Sequence, residues 1–234
     1  MKIALLGYGR MGQTIEKFAK ERNHEIAFIL DKDKEEGLLA QVDVAINFSI
    51  PEAAVNNIKL ALEHEIPVVC GTTGWLEHYD EITAFCKNQN TAFLYASNFS
   101  IGVNLFFKMN QLTAKLMKPH ANEYKASMQE IHHVHKLDAP SGTAITLADA
   151  LLETGHNNAW ELDGNSDDKL NIESVREGEV PGTHSVTYRS QVDQISLKHE
   201  AFSRDGFALG AVIAAEWILN KKGVFSMQDV LNIS

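Results

Sequence analysis

The sequence predicts an α/β protein: an N-terminal Rossmann-type parallel sheet with a second α+β domain built on a mixed open sheet. Three observations carry that expectation. Over the first hundred residues, short apolar runs alternate with helical stretches. A glycine-rich turn separates the first run from the first helical stretch. Beyond about Val103, strands follow one another with little helix between them.

Lys2–Leu6 is an apolar run ending in Gly7, and Met11–Glu21 has helical character. Glu25–Leu30 is apolar again and ends in Asp31, and Asp43–Phe48 is a third run. Pro51 opens a helix through about His64, because proline's fixed φ suits a first turn. Pro67–Cys70, a helix over Leu76–Lys87 and the run Ala92–Ala96 complete the series. Connections this short imply right-handed βαβ units and parallel pairing. A long helix over Val103–Met117 follows, then strands over Lys125–His133, Ile172–Arg176, Thr183–Arg189 and Gln194–Ala201. One helix, Thr143–Glu153, and a polar loop, Gly155–Lys169, lie among them, which suggests antiparallel or mixed pairing. Phe207–Asn220 is a helix of small residues, with Ala208, Gly210, Ala211, Ala214 and Ala215 suited to close packing.

The 234 residues carry 21 Lys+Arg against 31 Asp+Glu, a net charge of −10, with 44% apolar and 22% charged residues. That is ordinary for a soluble globular chain. The acidic balance argues against wrapping nucleic acid or lying on an anionic membrane. An anionic small substrate stays open, because local charge governs a pocket. Cys70 and Cys86 are too few for a disulfide framework and read as two reduced, packed thiols. Met1–Gly7 runs straight into a strand pattern, without a basic leader region. The longest apolar stretch, Phe207–Leu219, is interrupted by Glu216 and too short to span a bilayer. A cytoplasmic soluble protein is expected.

Gly7-Tyr8-Gly9-Arg10-Met11-Gly12 is a GxGxxG turn that follows a strand and opens a helix, with an acid, Asp31, nineteen residues after Gly12. That context is what dinucleotide binding requires. Gly7 permits the tight turn, Gly9 lets the backbone approach a pyrophosphate, and Gly12 lets helix and strand pack closely. The helix N-terminus offers unpaired N–H groups to phosphate. Asp31 suits the ribose hydroxyls of NAD, whereas Lys32 and Lys34 suit the 2′-phosphate of NADP, so NADH and NADPH both remain open. Gly71-Thr72-Thr73-Gly74 follows the fourth strand and Ala96-Ser97-Asn98-Phe99 the fifth. Both loops therefore fall at the carboxyl edge of the sheet, where ligands of open α/β sheets bind.

Residues 130–143, Glu-Ile-His-His-Val-His-Lys-Leu-Asp-Ala-Pro-Ser-Gly-Thr, are the most informative segment. As a continuing strand it would put His132 and Val134 on one face, His133 and His135 on the other. Histidine suits proton transfer near neutral pH, and Lys136 stands beside it. Ser141 or Thr143 can cap the following helix, and the N–H groups around Gly142 form an anion site. Together these describe a pocket for a carboxylate-bearing substrate that must be protonated. A zinc site on His133 and His135 would need a third ligand such as His184 or His199, without any CxxC or HExxH spacing to support it. Histidines with no function are the other alternative.

The Gly-Arg-Met-Gly turn, Gly71-Thr72-Thr73-Gly74, Asn98-Phe99-Ser100 and, above all, Glu130 to Thr143 resemble the dihydrodipicolinate reductase family. Arg176-x-Gly178, Gly182-x-His184, His199-x-Ala201, Arg204 and Gly210-Ala211 extend the likeness in order along the chain. The family enzyme, now called 4-hydroxy-tetrahydrodipicolinate reductase, works in the diaminopimelate route to lysine. The resemblance implies reduction by NADH and/or NADPH, and from the spacing no metal is expected. His132 looks like the proton donor and Lys136 its partner acid. His133, Lys136, Gly142 and Thr143 look like contacts to the substrate carboxylates. Gly7 to Gly12, Asp31 with Lys32, Gly71 to Thr73 and Ala96 to Phe99 match the cofactor positions.

The resemblance also implies a dinucleotide-binding domain over 1–103 plus 208–234, and a substrate-binding and oligomerisation domain over 104–207. A cytoplasmic homotetramer follows from it. The chain departs from the family in its shorter glycine turn, in Asn47 where Asp is common, and in a short segment from Asp31 to Asp43. Two other functions compete. A semialdehyde dehydrogenase would need an activated cysteine, for which Cys70 in a strand and Cys86 in a helix are poorly placed. A nucleotide-sensing module would leave the segment from His132 to Thr143 without a purpose.

Overall fold

The computed structural model describes residues 1–164, 166 and 168–233. In chain order the elements begin β1 (Lys2–Leu6), α1 (Arg10–Glu21), β2 (Glu25–Asp31), β3 (Lys34–Gly37) and β4 (Val44–Asn47). They continue with α2 (Pro51–Glu63), β5 (Val68–Cys70), α3 (Tyr79–Asn88), β6 (Ala92–Tyr95) and α4 (Ile101–Met117). Then come β7 (Lys125–His132), α5 (Gly142–Glu153), β8 (Trp160–Leu162), β9 (Leu170–Arg176) and β10 (Thr183–Arg189). β11 (Gln194–Glu200), α6 (Asp205–Ile218), β12 (Gly223–Phe225) and α7 (Met227–Leu231) close the chain. Two units result: Met1–Asn104 with Asp205–Ser234, and Leu105–Arg204.

The first unit holds a sheet of order β12-β6-β5-β4-β1-β2-β3. β1, β2, β4, β5, β6 and β12 pair in parallel. The strands read as nearly continuous apolar runs because helices cover both faces. Ile3, Leu5, Val44, Ile46, Val69 and Leu94 point to one side, and Ala4, Leu6, Ala45, Val68, Cys70 and Phe93 to the other. α6 supplies the cover on the first side, and its small residues matter there: a Cβ on Gly210 would lie 1.8 Å from the Phe99 carbonyl oxygen. The chain order reverses between β1 and β4, so the loops after β1, β4, β5 and β6 share one carboxyl edge.

The second unit is a mixed sheet of order β11-β10-β7-β9-β8. β7 and β8 run parallel to β9, while β10 is antiparallel to both β7 and β11. Its core gathers Phe106, Met117, Met128, Leu147, Leu151, Ile172, Val186 and Tyr188. Alternation along β7 buries Met128, Glu130 and His132 and leaves Lys125 and Ser127 exposed. Two polar side chains are thereby driven onto the buried face.

Several elements differ from the sequence expectation. β3 pairs antiparallel with β2, because the two residues between Asp31 and Lys34 allow a hairpin but no crossover helix. β8 lies inside the expected polar loop, whose Asn165 and Asp167 fall outside the described residues. β12 and α7 follow the small-residue helix; α7 is held by a Ser226–Asp229 capping box. Residues Leu76–His78 form a single 3-10 turn before α3. β7 stops at His132: Glu177 N–H bonds the His132 carbonyl at 2.8 Å, and Val134 N–H turns to Gly178 O at 3.1 Å. Val134 is exposed as a result, and the expected two-face alternation of His133 and His135 does not form.

Both cysteines are buried and unpaired, and burial pushes each thiol up to about 11. Among the described residues no helix is long and apolar enough to cross a membrane.

Candidate active site

In the first unit the turn after β1 is built from its own glycines. Gly7 has φ +100°, and its amide bonds Leu30 O at 2.7 Å, which ties the turn to β2. A Cβ on Gly12 would stand 2.3 Å from the Gly7 carbonyl oxygen, so Gly12 is needed within the turn itself. Gly9 N-caps α1 with no side-chain hydrogen bond, and a Cβ there would meet no atom within 4 Å. Open space over an uncapped helix N-terminus fits a pyrophosphate.

Asp31 accepts from the Tyr8 amide at 2.8 Å through one carboxylate oxygen and from the Lys32 amide at 2.8 Å through the other. The carboxylate is thereby fastened, still exposed, beside the glycine turn. Lys34 lies over the Tyr8 ring, 4.3 Å from its centroid, and pairs with Glu36, while Lys32 makes no ion pair among the described residues. Arg10 and Met11 open α1.

The two later loops are also set at this edge. Thr72 Oγ1 accepts from the Ser49 amide at 2.9 Å, and the Thr72 carbonyl accepts from Trp75 Nε1 at 2.7 Å. Its side chain is thus spent on the loop, while Thr73 is exposed. Gly71 sits against Phe48, whose ring stacks at a tilt on Phe99 with centroids 5.6 Å apart. Asn98 Oδ1 accepts from the Ser100 amide at 2.9 Å, which shapes the turn from Ala96 through Ser97 into α4. The buried Asn47 is likewise structural: it meets Cys70 Sγ at 3.4 Å and Asn57 at 3.3 Å.

In the second unit a polar cluster surrounds His132. Glu130, with no exposed surface, accepts from the Ser141 amide at 3.0 and 3.2 Å and from Ser174 Oγ at 2.6 Å. Arg176 Nη2 lies 3.4 Å from the same carboxylate. Burial alone would raise this acid, yet the neighbouring His184 imidazole and hydrogen bonds from Ser141 and Ser174 hold it far below the usual carboxylate range. Its Oε2 lies 3.6 Å from His132 Nδ1 and 3.7 Å from His184 Nε2. The two imidazole rings meet edge to face with centroids 5.0 Å apart. Burial first, then the repulsion of His184, pushes His132 down to about 4.

Ser141 closes the cluster. Its hydroxyl accepts from the Ala144 amide at 3.2 Å, N-capping α5, and lies 3.1 Å from His184 Nε2. The first-turn amides of Gly142 and Thr143 have no intrahelical partner, and a Cβ on Gly142 would meet nothing within 4 Å. Lys136 donates to both oxygens of Asp138 at 2.7 and 2.8 Å, which holds the Asp138 carboxyl below its ordinary value. Arg176 clasps the loop between them, donating to Lys136 O at 3.3 Å and Asp138 O at 2.7 Å. His133 Nε2 accepts from Arg204 at 3.0 Å.

The structure thus brings His132, Lys136, Gly142 and Thr143 into one neighbourhood and His133 to its edge. The roles of Glu130, Ser174, Arg176 and His184 are invisible in the spacing. Glu130, Arg176 and His184 stand among the family-like positions, but what gathers them is strand register, which sets Glu130 directly opposite Ser174 on β9 and His184 on β10. Glu130, His132 and His184 also set one potential ligand atom each within 4.8 Å of one another. Protein N–H and O–H donors and the Arg176 guanidinium already satisfy the carboxylate there, as a cation would. His133 and His135, the pair considered for zinc, lie outside this cluster with ring centroids 6.2 Å apart.

The chain resembles known proteins along its length. Residues 1–99 match the family description "Dihydrodipicolinate reductase, N-terminus", and residues 102–231 match "Dihydrodipicolinate reductase, C-terminus". A 4-hydroxy-tetrahydrodipicolinate reductase of Christiangramia forsetii is 53% identical, over 99% of this chain and 98% of that protein. One of Aquifex aeolicus is 40% identical over 85% of this chain and 76% of that protein. A dipicolinate-bound dihydrodipicolinate reductase from Paenisporosarcina sp. TG-14 superposes with a TM-score of 0.77 at 25% identity, covering 97% of both chains.

Proposed function

The chain belongs to the dihydrodipicolinate reductase family, and from that premise we propose that it reduces 4-hydroxy-tetrahydrodipicolinate to tetrahydrodipicolinate in the diaminopimelate route to lysine. It is an NAD(P)H-dependent oxidoreductase. The carrying observation is the buried His132 beside Lys136, Arg176 and the open start of α5.

The glycine turn from Gly7 to Gly12, with Tyr8, Arg10 and Met11, holds the pyrophosphate side of the cofactor. Asp31 and Lys32 take its ribose side, and Gly71 to Thr73 with Ala96 to Phe99 line its nicotinamide half. When bound, the reduced nicotinamide supplies a hydride. The net reaction also takes up one proton and releases water, and the second unit's residues manage that proton.

His133, Lys136 and the amides of Gly142 and Thr143 hold the two substrate carboxylates. Those carboxylates bring negative charge to a buried imidazole, which raises its affinity for a proton. Burial and His184 keep His132 neutral in the free chain at pH 7, and the ring becomes charged when the substrate arrives. It then donates from Nε2, and Lys136 acts as its partner acid. Cationic groups around the ring stabilise the negative charge that develops on hydride addition.

A cytoplasmic homotetramer completes the reading. The sheet face opposite the second unit's core carries polar pairs such as Gln129–Glu173, at 2.6 Å, and Thr187–Ser196, at 3.1 Å, which suit contact between copies. Light scattering at a mass of four chains supports this; a monomer refutes it.

The function is tested by a coupled assay. The preceding condensation of pyruvate with aspartate semialdehyde supplies the substrate in place, and NADH and NADPH consumption are followed separately. Substrate-dependent consumption is expected. Cofactor binding without consumption overturns the assignment and favours a sensor.

A further inference from the structure

Glu130 and His132 are consecutive inward positions of β7, and the cross-strand partner of Glu130 on β10 is His184. One carboxylate oxygen, Glu130 Oε2, is thus presented to two imidazoles, at 3.6 and 3.7 Å. The other, Oε1, is committed to Ser174 and Arg176. Among the described residues His132 Nδ1 is buried without a hydrogen-bond partner, and the carboxylate is the acceptor beside it. Separations of this size shorten to hydrogen bonds when a catalytic site fills and tightens. The far edge of the ring meets glycine: a Cβ on Gly182 would stand 3.2 Å from His132 Nε2.

We propose that Glu130 is the positioning residue of the proton donor: it holds a proton on the inward Nδ1 of His132, and Gly182 leaves Nε2 uncovered for the substrate. The proposal rests on the reading of His132 as the acid. The charged groups facing the ring are Glu130 from its own strand, His184 from β10, Arg176 from β9 and Lys136 from the following loop. Three of these oppose a charge on the ring. Glu130 is the one that favours it, and it also selects the tautomer whose free nitrogen is Nε2, as a buried carboxylate does for a catalytic histidine elsewhere.

The first test is nitrogen NMR of the imidazoles in the full chain, with the His132 signal identified by its loss in His132→Gln. The expected neutral ring carries its proton on Nδ1; a proton on Nε2 overturns the proposal. The second test is the pH dependence of kcat for Glu130→Gln and Glu130→Asp. Glu130→Gln is expected to lower kcat about 10- to 100-fold and to move the alkaline limb down by about one pH unit. KM for NAD(P)H should stay within about twofold, and Glu130→Asp should restore the limb. A folded Glu130→Gln with an unmoved limb overturns the proposal, and if that variant does not fold the tautomer decides. Wild-type turnover in His132→Gln would instead refute the acid itself, while the tautomer measurement still reads out what Glu130 does to the ring.

Discussion

His132 Nδ1 lies 3.6 Å from Glu130 Oε2, and the two residues are neighbours on the buried face of one strand. A strand's period of two places them side by side, and the fully buried carboxylate cannot exchange its protein partners for water. Proton chemistry at His132 is therefore set by fixed charges.

Binding of a dianionic ring should take up a proton. At pH 7 His132 is neutral in the free chain, pushed down to about 4 by burial and by His184. Pyridine-2,6-dicarboxylate should charge it, so calorimetry in two buffers of different ionisation enthalpy should show uptake of about one proton. His132→Gln should abolish that uptake and cut turnover by about 100-fold or more, with cofactor affinity within about twofold. Equal losses of turnover and cofactor affinity would count against its role.

Stability should fall with acid in a window set by the same ring. Folding lowers the His132 pKa from 6.5 to about 4, so the unfolded chain binds the proton more readily between those values. The contribution is complete above pH 6.5 and is lost as pH falls, by about 2 kcal/mol at pH 5. His199, also lowered by burial, adds in the same direction. Glu130, lowered from 4.5, holds its contribution above that pH and loses it further down. Denaturant melts at pH 7.5 and 5 should show the loss, and His132→Gln should flatten it.

Gly9 and Gly12 of the glycine turn should separate cleanly. Gly12→Ala places a methyl 2.3 Å from the Gly7 carbonyl and should cost about 1–3 kcal/mol of stability. Gly9→Ala meets no protein atom, so its melt should match the parent while NAD(P)H affinity drops about tenfold or more. Unchanged affinity in Gly9→Ala would move the pyrophosphate elsewhere.

Cofactor choice should turn on one residue pair. Lys32 is exposed beside the fastened Asp31 carboxylate. Lys32→Ala should lower kcat/KM for NADPH about tenfold and leave NADH nearly unchanged, because the lost charge faces only a 2′-phosphate. Asp31→Ala should shift the ratio the other way; parallel losses with both cofactors would refute the assignment.

Lys136→Ala should raise KM for the substrate and lower kcat, each by about tenfold, since it leaves both a carboxylate and Asp138 without a cation. A nearly silent variant would relocate the carboxylate site.

The glycine turn and its acid were legible because a GxGxxG in a strand–turn–helix context has a backbone reason for every glycine. The small-residue helix was legible as a close-packing element, and its Gly210 meets the Phe99 carbonyl. β3, β8 and β12 were not legible: each has three or four residues, too few to show a period. The end of β7 was overrun by one residue, because the alternation of His133 and His135 imitates a strand. What ends it is a slip in the backbone ladder, where Val134 N–H bonds Gly178 O, forty-four residues downstream.

The α/β class, the glycine turn with its acid, and the segment from Glu130 to Thr143 are written in local spacing and could be read directly. The gathering of Glu130, Ser174, Arg176 and His184 around His132 came from the fold. These come from three strands brought into register by sheet pairing, and a one-dimensional pattern does not encode which residues stand opposite one another. The buried charge balance that controls His132 arises from that register, since desolvation and neighbouring charge act through space and not along the chain.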